Sequence, residues 1–98
     1  MKRPSQGTRE AAEIMAIQAL TFIAEEPDRL ARFLDATGLE PAQIRDASRQ
    51  RGFLAGVLEH MLADEPLLIA FALSAGIDPA EVARARGALS NKRDRHGP

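Results

Sequence analysis

A histidine and its acidic neighbours are the residues whose types and spacing could most directly do chemistry. His60 and Asp64 are four residues apart, so a helix would place both side chains on one face, beside Glu59 and Glu65. Carboxylates and an imidazole could hold a divalent cation or exchange protons with a substrate. Acidic residues directly before a proline are, however, the ordinary means of capping a new helix and stabilising its positive end. We therefore predict a helix cap here, with no metal site and no catalytic residue.

Other catalytic chemistries lack the residues that they need. The chain has no cysteine, which excludes thiol nucleophiles and thiolate metal sites. Its four serines do not lie in a strand-to-helix nucleophile elbow, and no glycine-rich loop is present to cradle a phosphate. We expect a non-enzymatic protein without a cofactor, and a small enzyme or metal-binding protein ranks only third among the functions considered.

Arginines that follow a glycine-containing turn could serve a DNA-binding helix–turn–helix. Gly38 is followed six residues later by Ile44, and Gly76 is followed at the same distance by Val82. A helix after such a turn can lie in the major groove with its side chains at base edges. The arginines that would make these contacts are Arg45, Arg49 and Arg51 in the first case, and Arg84 and Arg86 in the second.

The distribution of charge disfavours nucleic acid as the partner. Six charged residues lie near the two ends of the chain: Lys2, Arg3, Lys92, Arg93, Asp94 and Arg95. Without them the chain keeps 8 of its 13 basic and 13 of its 14 acidic residues, so its body carries about −5. A body of that sign repels phosphates and gains no counterion release. DNA binding is therefore the alternative function and not the leading one.

Short helices must position all of these residues, and a repeated phrase marks where the helices begin and end. The segment 24–27 recurs as 63–66, and the segment 37–44 recurs as 75–82. Each copy supplies a proline, which suits the first position of a helix, and a glycine, which suits the position after the last. The repetition predicts an internally duplicated helix–turn–helix unit, with units at about 8–50 and 51–89. The expected fold is all-α, a compact, pseudo-twofold bundle of five or six short helices.

The ends of the chain differ in composition from this helical domain at 8–89. We expect a disordered head at 1–7, a first helix at 9–25 capped by Thr8, and a disordered basic tail at 90–98. Further helices are expected at 27–37, from Pro41, at 53–63, at 66–75 and from Pro79. No targeting pattern is recognisable, and the longest wholly apolar stretch, 67–73, is too short to cross a bilayer. We expect a cytoplasmic protein that contacts no membrane.

The helix at 66–75 carries no charged residue, which is typical of a central core helix or an interface helix. This apolar excess favours a protein–protein interaction module or a homodimer as the leading function. The residues predicted for the interaction surface are Met61, Leu67, Leu68 and Phe71. We also expect function to lie where the two copies differ, chiefly in charged 28–32 against apolar 67–70.

Part of the sequence resembles a small alphaproteobacterial family. The resemblance is carried by the string Gly52–Leu68, by Phe71 and Gly76–Pro79, and upstream by Phe22–Leu30 and Arg32–Leu34. Over about residues 10–89 the chain is similar to the family catalogued as domain of unknown function 3572. The resemblance implies a short, cytoplasmic, all-helical bacterial protein, and it brings no catalytic residues.

Overall fold

The computed structural model describes the backbone of residues 4–89 and the side chains of residues 9–50 and 52–89. This range contains six α-helices and no strand. The helices are α1 (Pro4–Ala24), α2 (Pro27–Thr37), α3 (Ile44–Ala47), α4 (Arg51–Leu62), α5 (Glu65–Ala75) and α6 (Pro79–Leu89), and a 3-10 turn (Pro41–Gln43) precedes α3. The prediction of a compact all-α bundle is confirmed, with a radius of gyration of 13.5 Å. The internal duplication stays a prediction, and the tail at 90–98 lies outside the described residues.

Two glycines close helices in the way that the sequence predicts. Gly38 after α2 has φ 76° and Gly76 after α5 has φ 71°, in the left-handed region that side chains disfavour. Each glycine donates its N–H to the carbonyl four residues earlier, that of Leu34 or Ala72. The second turn bends the chain by 101° between α5 and α6. The turn at Gly76 therefore sets the angle between α5 and α6.

The first helix begins earlier than the sequence predicted. α1 starts at Pro4, so Thr8 lies inside the helix and is not its N-cap, and residues 4–7 are helical. Proline suits this position because its missing N–H would have no partner in the first turn.

The segment from Pro41 also differs, because a capping box closes it into a 3-10 turn. The Glu40 N–H donates to Gln43 Oε1 at 2.8 Å, while the Glu40 side chain accepts from the Gln43 N–H. The four-residue α3 follows, and Ser48 Oγ donates to the Arg45 carbonyl at 2.8 Å where that helix ends. One predicted helix is thus replaced by two single turns.

The core lies where α1, α4 and α6 meet. α1 contributes a face of small side chains, since Ala12, Ala16 and Ala19 are almost fully buried. Small residues let the neighbouring helices approach closely. The larger fully buried side chains come from α1 (Ile23), α2 (Phe33), α4 (Val57, Leu58, Met61) and α6 (Val82, Leu89).

Aromatic contacts attach the outer helices α2 and α5 to this core. Phe33 of α2 is fully buried and lies edge-on to Phe53, with ring centroids 5.9 Å apart. Phe71 of α5 packs against Phe22 of α1, with ring centroids 5.6 Å apart. Each outer helix therefore buries one face and presents the other to solvent.

Candidate functional site

The residues predicted as an interaction surface lie on the inner side of the protein. Met61 is fully buried, Phe71 is 2% exposed and Leu67 is 9% exposed. Leu68 is half-buried and packs against the same core. These four side chains attach α4 and α5 to the rest of the bundle, so three of them are buried and only Leu68 keeps part of its surface accessible.

The opposite face of α5 is apolar and exposed. Leu73 is 79% exposed and Ile69 is 42% exposed. Pro66 is exposed as well, and Ala70 is half-exposed. Positions 66, 69, 70 and 73 share one helical face, because residues three and four apart on a helix are neighbours. We call Pro66, Ile69, Ala70 and Leu73 the α5 stripe.

A cleft of about 240 Å³ borders this stripe. We call it the basic cleft, and it is lined by Arg29, Arg32, His60, Asp64, Pro66, Leu67 and Ala70. Two residues of the α5 stripe, Pro66 and Ala70, therefore form part of its wall.

Arg29 is held in place at this wall. Its guanidinium lies over the Phe22 ring, 3.9 Å from the ring centroid. Its NH1 donates to the Phe22 carbonyl at 3.1 Å. The remaining N–H groups of this guanidinium, together with exposed Arg32, give the basic cleft two cations beside an apolar helix face.

The histidine and aspartate singled out by their spacing do meet in the basic cleft. Asp64 is the N-cap of α5, and its Oδ1 accepts from the Leu67 N–H at 3.2 Å, which confirms the predicted cap. Partial burial lowers the pKa of His60, and the negative charge of Asp64 opposes this effect without overcoming it. Within the described residues, no three His, Cys, Asp or Glu side chains are placed to hold a metal ion.

The arginines proposed for DNA contact lie on different helices. Arg45 is exposed on α3, and Arg49 is exposed just after it. α3 is only four residues long, which is too short for a recognition helix in the major groove of DNA. The side chain of Arg51 falls outside the described residues. On α6, Arg84 is exposed and Arg86 forms an ion pair with Glu59 at 3.4 Å.

A second apolar region, which we call the α1 groove, lies between α1 and the start of α4. Ile14 is 59% exposed and Ile17 is 41% exposed. The groove measures about 670 Å³ and is lined by these two isoleucines and by Glu10, Glu13, Gln18, Ser48, Arg49 and Leu54.

The sequence analysis did not identify the basic cleft as a site, but its comparison of the two sequence copies did single out segments that line it. Segments 28–32 and 67–70 were expected to carry function because they differ in charge. The structure brings them together in the basic cleft, where Arg29 and Arg32 face Leu67 and Ala70. No feature of the sequence indicated that Ile69 and Leu73 would be the exposed apolar residues of α5.

Comparison with protein families identifies a match over most of the chain. The family model described as "Protein of unknown function (DUF3572)" matches residues 9–92. No curated protein and no solved structure matches the chain. In the described part of the chain, no single helix is long and apolar enough to cross a membrane, and α5 and α6 reach that mark only as a pair bent by 101°.

Proposed function

We propose that this chain, which belongs to the family described as Protein of unknown function (DUF3572), is a non-enzymatic protein-interaction module that binds through the α5 stripe. The observation that carries the proposal is the exposure of Ile69 and Leu73 on one helix face with Pro66 and Ala70. A contiguous exposed apolar patch bordered by polar groups is typical of a protein-binding site. A face with this spacing is suited to packing against another helix.

The size of the α5 stripe indicates that its polar border must take part in binding. Covering Leu73 would contribute at most about 1.5–3 kcal/mol, and covering the less exposed Ile69 would contribute less. Association itself costs on the order of 4–15 kcal/mol in lost freedom of motion. Apolar contact with the stripe alone therefore does not suffice, and the partner must also use groups such as those of the basic cleft.

Site-specific photo-crosslinking in the cells that naturally produce the protein tests this proposal. A photo-crosslinking amino acid at position 73 is expected to give an adduct of discrete mass, which Ile69→Asp should abolish. The control is the same amino acid at position 35, because Asp35 is exposed and belongs to neither the α5 stripe nor the lining of the basic cleft. No adduct at position 73, or an equal adduct at position 35, would overturn the proposal.

DNA binding is the alternative, and one observation favours it. Arg84 is exposed on α6, the helix that follows the tight turn at Gly76. The other exposed positions of α6 include Ala80, Ala83 and Gly87, which can offer bases or phosphates little. Titration of a labelled duplex at low salt tests this alternative, which is removed if no binding occurs or if Arg84→Ala leaves binding unchanged.

A further inference from the structure

We infer that the partner on the α5 stripe is a second copy of this chain, paired antiparallel about a twofold axis, with its Asp78 carboxylate at the basic cleft. The inference rests on the proposed function, since it names the occupant of the same surface. It has two independent supports, the shapes along the stripe and the charges at its two ends.

The α5 stripe is complementary in shape to itself. An axis that passes between Ile69 and Ala70 sets each Ile69 against the second copy's Ala70, and each Pro66 against the second copy's Leu73. Each pair joins a longer side chain to a more compact one, so the two faces can interdigitate. The small Ala70 near the axis also permits the helix axes to approach closely. This is the self-complementarity that an isologous twofold interface requires.

The basic cleft beside the first turn of α5 has more cations than anions, whereas the turn after α5 carries Asp78. Arg29 and Arg32 lie at the basic cleft beside its first turn. Asp64 lies there too and accepts from the Leu67 N–H through Oδ1, but the two arginines outnumber it among the charged side chains that line the cleft. Asp78 is exposed just beyond the last turn and uses Oδ1 to accept from the Ala80 N–H at 2.9 Å, so Oδ2 remains for another donor.

Only an antiparallel arrangement uses these charges favourably. It places each Asp78 near the basic cleft of the second copy, and the symmetry makes this contact twice. A parallel arrangement would instead set the two basic clefts side by side, which like charges disfavour.

The α1 groove does not show the same complementarity. An axis between Ile14 and Ile17 would oppose Glu13 to Gln18 and Glu10 to Thr21, so neither carboxylate would meet a cation. The groove's own cation, Arg49, lines it together with Glu10 and Glu13 of the same chain. The charges therefore favour α5 as the face that meets a second copy.

Sedimentation velocity of the full chain, from micromolar to millimolar concentration, tests the inference. We expect a concentration-dependent dimer that Leu73→Glu weakens by about tenfold or more, the factor that corresponds to 1.4 kcal/mol. Ile14→Glu is the matched control, because it places the same charge at an exposed apolar site of α1, and it should leave the dimer intact. Circular dichroism of each variant establishes that the helices are retained.

A charge exchange tests the orientation of the two copies. Arg32→Glu and Asp78→Lys should each weaken the dimer, and the double variant should restore it, because the reversed pair again brings opposite charges together. Failure of the double variant to recover would overturn the antiparallel arrangement.

The outcomes separate this inference from the proposed function. A protein that stays monomeric at every concentration, or a dimer lost with Ile14→Glu and kept with Leu73→Glu, overturns the inference. If position 73 still forms an adduct with another protein, the interaction module stands and only its partner changes. If position 73 forms no adduct, the proposed function fails as well.

Discussion

Replacing Gly76 by alanine should destabilise the protein through the backbone alone. A Cβ at this position would meet no heavy atom within 4 Å, so no clash with neighbouring side chains contributes. What remains is the strain of a Cβ-bearing residue at φ 71°, about 1–2 kcal/mol. The position cannot relax cheaply, because the N–H groups of Gly76 and Ile77 both donate to the Ala72 carbonyl.

Gly87→Ala is a matched change that should act in the opposite direction. Gly87 lies inside α6, and a Cβ there also meets nothing within 4 Å. Its backbone is helical, so alanine should stabilise it by about 0.5–1 kcal/mol. The free energies of unfolding of the two variants should therefore differ by roughly 1.5–3 kcal/mol, although both substitutions add the same methyl group to open space.

Urea denaturation measures this difference directly. For small proteins the free energy of unfolding changes by about 1–3 kcal/mol per molar urea, so the two midpoints should lie on the order of 1 M apart. A total stability of about 5–15 kcal/mol keeps both variants folded in water. If Gly76→Ala left the midpoint unchanged or raised it, the left-handed turn would not be what fixes α5 relative to α6.

Two further predictions concern the basic cleft. Asp64→Ala should lower the free energy of unfolding by about 1 kcal/mol, because the Leu67 N–H loses its capping acceptor. Glu26→Ala should lower it by less than about 0.5 kcal/mol, since Glu26 makes no side-chain cap bond to α2. Equal losses in urea denaturation would refute the cap assignment. The lowered pKa of His60 means that the unfolded state binds more protons below pH 6.5. Stability should therefore be complete above that pH and should fall as the pH decreases towards the folded-state pKa. Thermal unfolding between pH 7.5 and pH 5 should show this slope, and His60→Gln should flatten it more than His96→Gln does; equal slopes in all three proteins would contradict the assignment.

Sequence reasoning located the helix ends best where proline and glycine define them. α2 was predicted at 27–37 and is observed at Pro27–Thr37, and α6 begins at the predicted Pro79. These residues restrict or permit particular backbone angles whatever surrounds them, so their meaning is local. The prediction of one helix from Pro41 was wrong, because the reciprocal hydrogen bonds of Glu40 and Gln43 stabilise a tighter turn than proline alone implies.

The candidate site was only partly predictable, because its accessible face depends on packing. α5 has a single charged residue, Glu65, so no polar position marks which side meets water. Which face is buried is decided by Phe22 and by α4, and spacing within α5 does not locate them. The segment 28–32 could be singled out by its charge, but the stacking of Arg29 on Phe22 is a contact between separate helices.

The alanine face of α1 has a consequence for how the chain reaches this structure in the cell. Ala12 and Ala16 belong to the buried face of α1, and α1 packs against α6 as well as α4, so the first described helix depends on the last one for part of its burial. During translation, α1 leaves the ribosome long before α6 exists, and loop closure between such distant segments comes late. The nascent chain therefore carries α1 with its partner face open until α6 has been synthesised. Chaperone contact during that interval should concentrate on α1, and packing of its alanine face should follow the synthesis of α6.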